Sequence, residues 1–149
     1  MIKKTHLAIG LAISLYFLPF VKYKLLFIPI ILIASLLPDI DSRFSHVGKK
    51  KIFRPVQIFF EHRGPLHSYT VCIIISLIFA FFYPIFALPF FLGYSFHLLA
   101  DSFTVRGIKP FWPLKYVSNG IIKTGGLTDR SIFWCFAVMD VFLFVLLFV

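Results

Sequence analysis

Residues 68–100 run for 33 positions without Asp, Glu, Lys or Arg. A water-soluble domain of ordinary size has no interior that would hide such a run. A helix crossing a bilayer needs about 20 apolar residues, so 33 is too many for one ordinary span, and Pro84 and Pro89 fall near the middle. The run therefore predicts two helices, near 68–83 and 86–101, joined by a tight turn. Three further apolar stretches occupy 5–20, 25–38 and 131–149, the last interrupted only by Asp140. Composition agrees: 60% of the chain is hydrophobic and 14% charged, against roughly 45–50% and 25% in soluble domains. The expected fold is an all-α, polytopic membrane helical bundle forming a single integral-membrane domain, 1–149, with about five short transmembrane helices. A 16-residue helix reaches only about 24 Å, so the bilayer must thin locally or the bundle must sit shallow.

Two polar segments, 39–67 and 102–130, interrupt the apolar ones. Ile52-Phe53-Arg54-Pro55-Val56 and Lys109-Pro110-Phe111-Trp112-Pro113 mix aromatics with cations, as interfacial segments do. Thr128 or Asp129 is the expected N-cap of the last helix. Cys72 and Cys135 lie in apolar runs and form no CxxC pair, so both are read as buried packing residues. Lys3 and Lys4 precede an apolar run as in a signal peptide, but no small-residue cleavage motif ends it, and a retained helix is expected.

Five spans put the N-terminus and both polar segments on one side. That side then holds thirteen of the fifteen basic residues, leaving Lys22 and Lys24 opposite. By the positive-inside rule it is cytoplasmic, which places a multi-pass protein in the plasma (inner) membrane. The same side collects all five histidines, with Asp39, Asp41, Glu61 and Asp101.

These residues suggest chemistry. His97 and Asp101, spaced i, i+4, share a helical face and can bind one divalent cation. Asp39 and Asp41 end the second apolar helix, where carboxylates oppose the dipole unless a cation is near. In an extended turn, both would point the same way. Glu61-His62-Arg63-Gly64-Pro65-Leu66-His67-Ser68 leads into the third helix, with Arg63 suited to clamping an anion and free backbone amides available at the helix start. His6 enters the same face from the first turn of the first helix.

The ordered series Thr5-His6, Leu37-Pro38-Asp39-Ile40-Asp41, His62-Arg63-Gly64-x-x-His67-Ser68 and His97-x-x-x-Asp101-x-x-Thr104-x-x-Gly107 resembles the YdjM-like, LexA-regulated family of membrane-bound predicted metal-dependent hydrolases. The resemblance covers roughly residues 1–115, with Leu66 where Thr is expected. The histidine and aspartate order is also distantly similar to the zinc-dependent phospholipase C and nuclease group. That likeness implies one metal held by Asp39 or Asp41 with His67, His97 and Asp101, and room for a second at His6 with a shared Asp. The candidate ligands are thus His6, Asp39, Asp41, His62, His67, His97 and Asp101, holding one or two divalent ions, Zn²⁺ first and Mn²⁺ or Fe²⁺ next. Asp41, Glu61 and Arg63 are the candidate catalytic groups: a carboxylate as general base, Arg63 (with Arg106 as a second cation) against phosphoryl charge.

The expected activity is an integral membrane hydrolase at the cytoplasmic interface, with membrane lipid as partner and a phosphoester or lipid headgroup as substrate. The alternative is a non-enzymatic metal or proton transporter, or an ion-binding scaffold. Transport calls for ionisable residues along a path through the bilayer, and Asp140 alone lies deep. Nucleic-acid binding through 43–54 has only charge in its favour and ranks last.

Overall fold

The computed structural model describes residues 1–41 and 64–147, the side chain of Asp41 excepted. His46, Glu61, His62, Arg63 and the basic 49–51 stretch lie outside the described residues. Among the described residues five α-helices follow one another: α1 (Lys3–Phe17), α2 (Lys24–Ala34), α3 (Tyr69–Phe82), α4 (Pro84–Ser102) and α5 (Leu127–Leu146). Among the described residues there is no strand, only isolated bridges at Thr104–Ile122 and Ile108–Ser118.

Local chemistry sets the helix ends. α1 stops at a 3₁₀ turn, Leu18–Phe20, containing Pro19, whose missing N–H cannot continue the ladder. The long uncharged run divides at Tyr83, which leaves the helical region at φ −145°, ψ 69°, as the residue before a proline tends to. Pro84 then takes the first position of α4, where an N–H is not needed. α4 therefore starts two residues before the expected 86, and Pro89 lies inside it. Ser68 caps α3, its Oγ accepting from Val71 N at 3.3 Å. α5 begins at Leu127, capped by Gly126. That corrects the expected cap: Asp129 sits in the first turn and accepts instead from Gly125 N at 2.8 Å.

α4 is the centre of the bundle and packs on α1, α2 and α3, while α1 also packs on α2 and α5. α2 and α4 approach closely at Gly93, where a Cβ would stand 2.4 Å from Ile31 O. Phe90, Tyr94 and Leu98 of α4 form a core with Ala34, Cys72 and Ile108. Cys135, expected to be buried, is exposed, because it lies off the α5 face that carries Ile132 and Phe136 against the core.

The distribution of polarity is inverted relative to a soluble domain. His6, His67, His97, Asp101, Thr104 and Asp129 are buried, whereas Ile74, Leu77 and Phe81 of α3 and Trp134, Val138 and Phe142 of α5 face outward. A bilayer accepts such apolar faces; water does not. Among the described helices α4 alone has the length and hydropathy to cross a membrane, and half of its apolar window is buried inside the fold. α2, of 11 residues, and α3, of 14, fall short of the roughly 17 residues that a lone span requires.

Candidate metal centre

Successive helices reverse direction, so the start of α1, the end of α2, the start of α3 and the end of α4 meet. His6 comes from the first turn of α1 and Asp39 from the 3₁₀ turn Pro38–Asp41 that follows α2. His67 closes the turn Pro65–His67 ahead of α3, and His97 and Asp101 occupy the last turns of α4. The three histidines and Asp101 are at most 1% exposed, and only Asp39, with an 18% exposed side chain, reaches the rim.

Their ligating atoms form a tight group. His67 Nε2 stands 3.9 Å from Asp101 Oδ2 and 4.0 Å from Asp39 Oδ1. His97 Nε2 is 4.0 Å from Asp101 Oδ2, and His6 Nε2 is 3.3 Å from Asp101 Oδ1. Two triads, His6–Asp39–His97 and His67–His97–Asp101, each keep their ligating atoms within 4.8 Å of one another. Ligands on a tetrahedral ion with bonds of about 2.0–2.1 Å stand roughly 3.3–3.4 Å apart. Most of the spacings exceed a good hydrogen bond yet match the edges of a slightly open coordination shell.

The orientation of His97 is fixed. Its Nδ1 lies 2.7 Å from Ser35 O; a carbonyl can only accept, so Nδ1 carries the proton and Nε2 presents its lone pair to the cluster. Metal-bound histidines are commonly held by such an outer bond. Among the described residues, His97 Nε2 and both ring nitrogens of His6 have no hydrogen-bond partner. His6 Nε2 approaches Asp101 Oδ1 at 3.3 Å as an ion-pair contact. The His6 ring stacks on His97 at 3.9 Å between centroids, and His67 meets His97 edge-on at 5.6 Å. Buried polar nitrogens left unpaired are costly, and a divalent cation would satisfy them together. The buried Asp101 carboxylate already draws a cation, accepting from the Met1 ammonium. The donor set therefore fits the metal that the sequence motifs suggest.

The turn after α4 explains the spacing of the last motif. Thr104 Oγ1 donates to Asp101 O at 2.7 Å and Gly107 N to Thr104 O at 2.9 Å. Gly107 has φ +62°, and a Cβ there would lie 2.2 Å from Ser118 O; only glycine suits the position. The chain then forms a lobe, 103–126, joined to the start of α3 by Tyr69 N donating to Pro110 O at 2.8 Å. Phe111, Trp112, Leu114, Tyr116 and Ile121 are exposed on it, and so are Arg106, Lys115 and Lys123.

Of the residues singled out in the sequence, the fold brings His6, Asp39, His67, His97 and Asp101 together. Asp41 shares the turn of Asp39, but that turn is 3₁₀, not extended as expected. At three residues per turn, positions two apart do not share a face, which removes the argument for pairing the two carboxylates. Glu61, His62 and Arg63 fall outside the described residues. Sequence reading missed the Ser35 carbonyl, which no side-chain pattern reveals, and gave Asp129 only a capping role. Asp140 lies eleven residues beyond Asp129 in α5, about 16 Å along the helix, buried and with Oδ1 lacking a partner among the described residues.

Comparison with known proteins supplies the wider context. The family described as YdjM inner membrane protein matches residues 1–149. The chain is 35% identical over 98 residues to the inner membrane protein YdjM of Escherichia coli (strain K12), covering 60% of this chain and 50% of the relative. The protein of the same name from Shigella flexneri matches with the same identity and coverage. The chain thus spans about half the length of the curated relatives it matches. No solved structure matches it.

Proposed function

The chain belongs to the YdjM inner membrane protein family, and from that premise we propose that it is a multi-pass, metal-dependent hydrolase whose site faces the cytoplasm and acts on a phosphoester or lipid headgroup. The observation that carries this reading is the buried cluster of three imidazoles and two carboxylates, with ligating nitrogens of His6 and His97 left unpaired among the described residues. A structural or capping role would leave those nitrogens hydrogen-bonded. When bound, a divalent ion such as Zn²⁺ supplies Lewis acidity, lowering the pKa of a water and polarising the scissile bond.

The side chains divide the remaining work. The ion would be held by ligands drawn from His6, His67, His97, Asp39 and Asp101, with a position left for water. His97 belongs to both triads but has one nitrogen to offer, since Nδ1 is committed to Ser35; the described residues therefore make one site, not two. Their burial excludes bulk water, and Asp39 at the rim marks the side from which substrate enters. Asp41 or Glu61 takes the proton from the attacking water, and Arg63 offsets charge on a phosphoryl oxygen. The exposed lobe, with aromatics beside cations, suits contact with anionic headgroups at the same end of the bundle. Transport is the weaker reading, because Asp140, the deep carboxylate of α5, has no charged partner among the described residues with which to mark a path.

Metal analysis of detergent-purified protein tests the centre. Wild type should retain a stoichiometric divalent ion that His97→Ala lacks, and equal content in the two would overturn it. Phosphate release from a panel of phosphoesters and phospholipids tests the chemistry. Arg63→Lys keeps charge but loses the bidentate fork, so it should keep metal and lose turnover by about 10–1000-fold. Unchanged turnover would remove the phosphoryl reading.

A further inference from the structure

The structure assigns to Asp129 a role that no motif suggests: it is the positioning residue for His6. This rests on the proposed metal centre, in which His6 is a ligand. Asp129 lies in the first turn of α5, is 0% exposed, and has no ion-pair partner among the described residues. A buried carboxylate without a cation is expensive unless its oxygens are filled by donors. Here they are. Oδ1 accepts from Thr5 Oγ1 at 2.8 Å, while Oδ2 accepts from Ile2 N at 3.0 Å and Gly125 N at 2.8 Å. Two of these three donors belong to the segment that opens α1, and the helix N-terminus of α5 favours the negative charge.

His6 needs such an anchor. His97 is oriented through its own ring by the Ser35 carbonyl, whereas neither ring nitrogen of His6 has a hydrogen-bond partner among the described residues. Its ring is aimed by the stack on His97, by the 3.3 Å approach of Nε2 to Asp101 Oδ1 and by the backbone that carries it. That backbone is tied to Asp129 twice. Thr5, bonded to Oδ1, is the preceding residue. Ile2, bonded to Oδ2 through its N–H, accepts from Thr5 N at 3.0 Å and from His6 N at 3.3 Å. The outer-shell function that Ser35 performs for His97 directly, Asp129 performs for His6 through the first turn of α1. α5, which contributes no ligand, is thereby coupled to the centre.

The test compares Thr5→Val, Thr5→Ser and Asp129→Ala with wild type in detergent, with Co²⁺ as the probe and its visible absorption as the readout. Loss of an outer-shell partner typically costs 10–100-fold in metal affinity. Asp129→Ala should fall in that range. Thr5→Val, which removes the hydroxyl's bonds to Asp129 Oδ1 and O and keeps the shape, should weaken Co²⁺ by about threefold to tenfold, with reduced imidazole character in the spectrum. Thr5→Ser, retaining the hydroxyl, should restore both. A purely structural role would not respond to the hydroxyl while thermal stability stayed constant. Unchanged Co²⁺ affinity in Thr5→Val and Asp129→Ala, or Thr5→Ser as weak as Thr5→Val, would overturn the assignment. If Asp129→Ala does not fold, the two Thr5 variants decide alone. Amide hydrogen exchange in the metal-free protein separates this inference from the metal reading. In Thr5→Val, exchange at residues 2–6 should quicken, confined to that turn. That result in a protein that binds no Co²⁺ would leave the tether standing and remove the metal centre; unaltered exchange would remove the tether.

Discussion

At the residue scale, the informative atoms are the buried nitrogens. His6, His67 and His97 are among the best-hidden side chains of the protein, in a fold with many apolar residues to spare for those positions. Asp101→Ala should therefore strip bound divalent metal while the protein still fractionates with membranes, because it removes a ligand and leaves the apolar faces untouched. Elemental analysis beside membrane fractionation checks both halves. Asp140 offers the opposite test. Its Oδ1 has no hydrogen-bond partner among the described residues, and it stands well along α5 from the centre. Asp140→Asn should retain metal and turnover within about twofold, the range expected where no ligand or partner is lost. Loss of metal uptake into vesicles, with the centre still loaded, would instead support ion passage through α5.

At the element scale, α2 and α4 are set by one close approach. A Cβ on Gly93 would meet Ile31 O at 2.4 Å and Ala34 Cβ at 2.9 Å. Gly93→Ala should push the two helices apart and cost about 1–3 kcal/mol, read as a lowered thermal midpoint in detergent. Since α4 carries His97 and Asp39 follows α2, metal affinity should fall with it. The lobe makes a separate prediction. Trp112 is 40% exposed beside Phe111 and Leu114, an arrangement suited to a headgroup layer. In a Trp134→Phe background, Trp112 emission should be quenched by brominated phospholipid and shielded from aqueous acrylamide. The reverse pattern would place the lobe in water.

At the scale of the whole molecule, alternation of the five described helices gathers the candidate ligands at one end. Lys3, Lys4, Arg106, Lys109, Lys115, Lys123 and Arg130 lie in or beside the segments at that end, with Lys22 before α2 and Lys24 at its start at the other. The positive-inside rule then predicts an N-in, C-out protein. Reporters placed in 43–54 and after Val149 should register opposite sides of the membrane. Registration on the same side would mean that one of α3, α4 and α5 does not cross, and α3, the shortest of them at 14 residues, would be the first suspect.

Much of this was open to reading from the chain. Uncharged runs must leave water, so they disclose the helices, and Pro84 marks where the longest run divides, although Pro89 lies within α4. Because successive helices alternate in direction, the clustering of His6, Asp39, His67, His97 and Asp101 at one end of the bundle follows from the runs alone. Their convergence into one cluster does not. It depends on the distance at which Gly93 lets α2 meet α4, and on which face each helix turns inward. Asp41 shows the limit: its pairing with Asp39 requires an extended turn, and the backbone closed into a 3₁₀ turn instead. Asp129 shows it more sharply. At the head of a helix, Asp looks like a cap, since capping is local and needs only neighbours in sequence. Beside the nearby Gly125 amide, its partners are Thr5 and Ile2, more than a hundred residues away. Hydrogen bonds of that span are created when α5 packs beside α1, and only the tertiary structure could decide them.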